Sequence, residues 1–178
     1  MLKKFKTDFK DLIIYQGKKH KDKRGFLMEM IRERIIGEKF KFQILSKSKK
    51  NVFRGLHFQL KKPQAKYITV IKGKILDVVV DLRKKSKTFG KSFSILLTDK
   101  NCKSIFIPAG FAHGFLTLEK ENIIHYSCTE YRSIGNEYSL SYKDPKLKIK
   151  LPKKKFIVTE KDAKAKNLDE LIKNKIIN

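Results

Sequence analysis

Along most of this chain apolar residues recur in short runs that read with a period of two, the alternation of a half-buried β-strand, and seldom with the 3.6 period of a helix. Strands are predicted over 26–30, 40–45, 67–71, 75–82, 93–97, 123–131 and 147–151, with another leading into Ile107. Residues 1–20 predict an edge strand or two, around Phe5, Phe9 and Leu12 to Tyr15; residues 31–39 read as a short helix or loop. Between the runs lie turn formers: Asp22 to Gly25, Lys72-Gly73-Lys74, the lysine-rich stretch 84–91, and Asp144-Pro145. Many short strands separated by such turns predict an antiparallel sandwich or barrel. The pattern changes after Pro152: Thr159 and Asp162 stand at capping-box spacing, and Leu168, Leu171 and Ile172 recur as on a helix, so a short helical segment is expected to close the chain.

Within this frame one stretch concentrates chemistry. In Phe53-Arg54-Gly55-Leu56-His57-Phe58-Gln59, a strand would show His57 and Gln59 on one face and Leu56 and Phe58 on the other. Arg54 is out of phase with His57, and the two reach one cleft only if the strand bends, which Gly55 permits. There an Arg fork suits a phosphate and an imidazole moves protons near neutral pH. Asp77 falls in the apolar run 75–82 and is expected to be buried, with a partner such as Arg83 or Lys66 if its role is structural. Pro108 and Gly110 set a turn from which His113 projects.

Length and composition suit one folded domain, 1–178, with 40% hydrophobic residues and 13 Phe to fill a core. The formal net charge of +25 raises nucleic acid as a partner. Its distribution argues otherwise, because lysines are scattered over nearly every turn and no basic stripe is interleaved with aromatics; no nucleic-acid role is expected. Cys102 and Cys128 form no CxxC pair and imply neither disulfide nor zinc. The N-terminus lacks an apolar region, and no run has the length of a membrane span, so a soluble, cytoplasmic protein without membrane partners is expected.

Taken together, Asp22-x-Arg24-Gly25, Arg54-Gly55-Leu56-His57-Phe58-Gln59, Gln64-Ala65-Lys66, 77–83, Ser86-x-Thr88-Phe89-Gly90, 107–115 and Asp144-Pro145 closely resemble the dTDP-4-dehydrorhamnose 3,5-epimerase family, in order and over nearly the whole chain. The resemblance implies a mainly β, cupin-type jelly roll or β-barrel, and probes the site residue by residue. His57 matches the base that removes a proton next to the ketone of a 4-keto-6-deoxy sugar nucleotide, with Asp162 completing its dyad, Tyr126 the acid on the other face and Lys66 beside the enolate oxygen. His113 and Asp77 match further active-site positions, Gln59 and Arg132 fall among the substrate contacts, Arg54 and Arg24 match diphosphate contacts, and Glu29 a nucleotide contact often supplied by a strand of a partner subunit. A homodimer with strand exchange is thus implied. Only His57 stands in the first cupin motif, so no metal and no other cofactor is expected.

Some alternatives stay open on the residues alone. Tyr131 rivals Tyr126 as acid, and Asp162 could serve only as a helix cap. Phe42 and Ile44 stand where the family has Gln and Asn, Leu27 and Arg132 where it has aromatics, and Tyr142 where Trp is usual. Substrate choice is accordingly wider than the reaction: inversion at C3, C5 or both of a dTDP-linked sugar, or the same chemistry on a GDP-linked hexose or heptose. A cupin that only binds a sugar nucleotide would not need His57, Tyr126 and Asp162 together.

Overall fold

The structure is a computed structural model that describes residues 2–177. Its strands are β1 (Lys3–Lys6), β2 (Ile13–Gln16), β3 (Lys19–Asp22), β4 (Gly25–Met28), β5 (Phe42–Lys49), β6 (Phe53–Gln59), β7 (Lys66–Lys72), β8 (Lys74–Asp81), β9 (Ser92–Thr98), β10 (Lys103–Ile107), β11 (Phe111–Thr117), β12 (Glu121–Cys128) and β13 (Glu137–Ser139). Three short helices join them: α1 (Glu33–Ile36), α2 (Glu160–Ala163) and α3 (Leu168–Lys173).

Two antiparallel sheets face each other, as the alternation predicts. One has six strands in the order β1-β2-β10-β7-β12-β5, the other five in the order β13-β6-β11-β8-β9. Because alternate side chains leave a strand on opposite faces, the two sheets generate three apolar layers. Ile68, Val70, Ile105 and Ile124 of the first sheet meet Ile75, Val79, Leu97 and Phe115 of the second, and these fill the gap between them. The outer face of the five-stranded sheet, with Leu56, Phe58, Val78, Val80 and Leu116, is covered by the C-terminal stretch through Leu147, Leu168 and Leu171. Part of the other outer face is covered by Leu2 and Ile36 against Tyr15, Tyr67 and Phe106. Each such side chain fully removed from water contributes about 1.5–3 kcal/mol, so the interleaved layers hold the sheets in fixed register.

The structure corrects three strand assignments. Residues 147–151 form no strand. Pro145 at the start of a 3-10 turn and Lys148 at φ +50° prevent an extended run, and the alternation of Leu147, Ile149 and Leu151 reflects side chains packed onto the outer layer without a backbone ladder. The closing strand is instead β13, paired to β6. The strand predicted over 123–131 ends at Cys128, and the one over 40–45 runs on to Lys49 because Ser46 and Ser48 continue its inward face. β3 and β4 pair only with each other, as a two-stranded ribbon outside both sheets.

Candidate active site

The cavity opens between the sheets at one end, and its geometry begins with Gly55. In the β6–β11 ladder His113 faces His57 while Phe115 faces Arg54, so three steps along β6 match two along β11. The extra residue makes a bulge at Gly55, whose φ is +118°. No side chain fits there: a Cβ at Gly55 would stand 2.6 Å from Gly114 Cα, and one at Gly114 would stand 2.5 Å from the Arg54 carbonyl oxygen. The bulge shifts the phase by one residue, and Arg54 and His57 both face the gap between the sheets.

His57 is held from behind. Its Nε2 lies 2.6 Å from Asp162 Oδ1. Asp162 is almost fully buried at the start of α2, where its backbone N–H donates to Thr159 Oγ1 (3.3 Å) and its Oδ2 accepts a long bond from the Gly55 N–H (3.4 Å). Burial pushes the Asp162 carboxyl up; the bond and charge of His57, with the Gly55 N–H and Thr159, outweigh it and bring it below the ordinary value. Asp162 therefore stays ionised and fixes the orientation of the His57 imidazole. Beside this pair, His113 Nε2 stands 2.8 Å from Asp77 Oδ2, both groups buried.

The facing wall comes from the six-stranded sheet. Tyr126 on β12 packs its ring edge-on to His113 at 6.3 Å and against Phe115 at 6.2 Å. Burial raises its phenol well above the ordinary value, so it carries its proton at any physiological pH. On β7, Lys66 is pushed the other way: burial lowers its ammonium, an effect partly offset by Cys128, Glu137 and Asp77 nearby. Phe42, Ile44 and Ser46 of β5 complete that wall, and Arg132, Glu137 and Lys161 rim the opening. Glu137 pairs with Arg132 at 2.7 Å and Lys161 at 3.2 Å; burial raises its carboxyl, but the two cations outweigh it and hold it low.

The result is a cavity of about 440 Å³ with an oriented imidazole on one sheet, and a protonated phenol and a lysine on the other. A group of this kind can take a proton from one face of a small ring and return one to the opposite face, while the ammonium holds negative charge. Among the described residues no three His, Cys, Asp or Glu side chains stand together as metal ligands. A second cleft, at the opposite end of the sandwich and lined by Lys72, Lys74, Lys100, Glu119 and Glu121, contains none of these catalytic types in such an arrangement.

A family model for dTDP-4-dehydrorhamnose 3,5-epimerase matches residues 6–170. The chain belongs to that family. It is 41% identical over 173 residues to the dTDP-4-dehydrorhamnose 3,5-epimerase of Methanothermobacter thermautotrophicus, covering 93% of this chain and 94% of the relative, and 39% identical over 175 residues to that of Salmonella typhimurium, covering 94% and 96%. Among solved structures it is similar to the dTDP-6-deoxy-D-glucose-3,5-epimerase of Legionella pneumophila, crystallised with dTDP-4-keto-L-rhamnose, with a TM-score of 0.94 at 35% identity over 99% of this chain and 97% of that one. The cupin-type fold and the epimerase class of activity follow.

Within this epimerase-family frame, His57, Asp162, Tyr126, Lys66, His113, Arg54 and Arg132 gather at one cavity. Four other residues singled out in the sequence lie elsewhere. Asp77 is buried behind His113 and pairs with it, not with Arg83 or Lys66; Arg83 pairs with Asp81. Gln59 is spent on the backbone: its Nε2 donates to the carbonyls of Lys62 (2.7 Å) and Tyr131 (3.1 Å), and its Oε1 accepts from the Ser133 N–H. That clamp fixes the loop carrying Arg132. Arg24 is exposed on the β3–β4 ribbon and paired to Asp22, and Glu29 is bound by Arg32, both away from this chain's own cavity. Tyr131, 60% exposed, packs on Phe42 outside the cavity, so Tyr126 is the tyrosine that faces His57's side of the gap. Glu137 and Lys161 were missed. Nothing in a lysine-rich sequence marks one Lys or one Glu, and only the pairing of β13 with β6 brings Glu137 to the rim.

Proposed function

We propose that this protein inverts C3 and C5 of dTDP-4-keto-6-deoxy-D-glucose by proton abstraction and return, without a metal. What carries the reading is that His57, backed by Asp162, stands on one sheet and Tyr126, with Lys66 on the neighbouring strand, on the facing one. The ketone acidifies the hydrogens on C3 and C5. His57 removes one, the electrons pass to an enolate whose oxygen lies at the Lys66 ammonium, and Tyr126 returns a proton from the opposite face. Arg54, whose Nε donates to Ser48 Oγ at 3.0 Å, takes the diphosphate. The ligand of the Legionella relative's complex, a dTDP-linked 4-keto sugar, supports the thymidine nucleotide.

A homodimer completes the site. The β3–β4 ribbon has no sheet of its own and exposes Phe26 (57%) and Leu27 (77%), a surface suited to pairing with a second copy. Arg24 and Glu29 would then reach the partner's cavity. The roles separate in two variants followed in deuterated water. His57→Ala is expected to abolish deuterium uptake at C3 and C5, and Tyr126→Phe to impair inversion while uptake persists. Uptake in His57→Ala, or normal inversion in Tyr126→Phe, would remove the assigned roles.

A further inference from the structure

We infer that Ser46 is a positioning residue for Tyr126, donating its hydroxyl to the phenol oxygen as that oxygen loses its proton to the substrate. The inference rests on the epimerase reading and concerns a group it leaves unused. In the β5–β12 ladder Ser46 faces Ile124 and Ile44 faces Tyr126, which sets Ser46 diagonally beside Tyr126 on the inward face of the sheet. Its Oγ is sealed from solvent and makes no well-formed hydrogen bond among the described residues; the phenol of Tyr126 is near enough for Ser46 to favour its ionised form, against the larger effect of burial. A buried hydroxyl without a partner is a cost to the fold, of the kind that persists where it is needed in a state other than the resting one. Ser48, two residues on, is occupied by Arg54, whose Nε donates to its Oγ.

The chemistry supplies that other state. When Tyr126 donates, the enolate's electron pair forms the new C–H bond, the ketone re-forms, and the Tyr126 O–H bond breaks to leave a phenolate. Burial of the phenol opposes that charge, and Ser46 is placed to oppose the penalty. After each inversion, and before the next, the phenolate recovers a proton and His57 gives up the one it took, both by exchange with solvent through the open cavity. Hydrogen bonds of this type are long before the reaction and tighten in the transition state.

The test is Ser46→Ala and Ser46→Thr, assayed in deuterated water with dTDP-4-keto-6-deoxyglucose alongside melting temperature. Removing an unpaired buried hydroxyl should leave Ser46→Ala as stable as the parent or more so, keep deuterium uptake near the parent rate, and slow inversion about 10- to 100-fold, with Ser46→Thr restoring it. Unchanged inversion in Ser46→Ala, a fall in uptake and inversion together, a lowered melting temperature, or no rescue by Thr would each overturn the inference. If the parent protein itself took up no deuterium, the epimerase reading would have failed instead.

Discussion

Burial opposes the charge of Lys66, and that sets a testable pH limit. Its ammonium is lowered from 10.5 while the Tyr126 phenol is raised from 10.0, so on raising the pH Lys66 loses its proton first. A reaction that needs the ammonium must therefore decline on the alkaline side at a pH below 10.5, with Tyr126 still protonated. Lys66→Met is expected to slow inversion about 10²- to 10³-fold and to abolish that alkaline decline in the pH–rate profile; an unchanged decline in the variant would assign it to another group. At this scale the sequence was readable only through context. Lys66 stood out from the other lysines because Gln64 and Ala65 precede it, and His57 because Arg54 and Gly55 do. The use of Gln59 as a clamp was not legible, since its partners Tyr131 and Ser133 lie far along the chain and meet it only after β12 has turned back. Nor was the partner of Asp77, which alternation predicts to be buried but which His113 reaches only across the β8–β11 ladder.

Between residues and the fold stand the strands and their ends. The β6 bulge was legible because parity put Arg54 and His57 on opposite faces and Gly55 was the one residue able to reconcile them. The helix start at Thr159 was legible too, although Asp162, at the capping-box position, turns its carboxylate to His57. The false strand over 147–151 shows the limit: packing onto a sheet and joining a sheet leave the same alternation. The end of β8 carries a second prediction. Burial would raise the Asp81 carboxyl, but bonds from Arg83, Ser86 and Thr88 overcome this and bring it from its ordinary 3.8 to about 2. A carboxyl lowered on folding stabilises above its unfolded value and loses that stabilisation as the pH falls through its folded value, here roughly 2 kcal/mol between about pH 4 and pH 2. Asp81→Asn should lower the melting temperature near neutral pH by about 5 °C, with the difference shrinking across that acid window. A difference that is constant with pH would mean that the carboxylate's charge is not what the cluster uses.

At the scale of the whole molecule, the two-sheet architecture explains why base and acid face each other. Alternation along β6 and along β12 each sends one side chain inward, and closing the sandwich puts the two on either side of a gap whose deeper part is filled with Ile, Val and Phe. The fold class was legible from period and turns, but strand order was not, because β6 pairs with β11 and β13, both distant in sequence. The net charge of +25 falls mostly on exposed lysines, while the cavity mixes Arg54, Lys66, Arg132 and Lys161 with Glu137 and Asp162, a local balance that whole-chain composition hides.

The central claim is that this cavity exchanges the protons next to a sugar ketone. The most direct measurement is proton NMR of the purified protein with dTDP-4-keto-6-deoxyglucose in deuterated water. The account predicts loss of both the C3 and the C5 proton signals, with the relative rates reporting how the two centres are handled. Persistence of both signals with folded protein would contradict it.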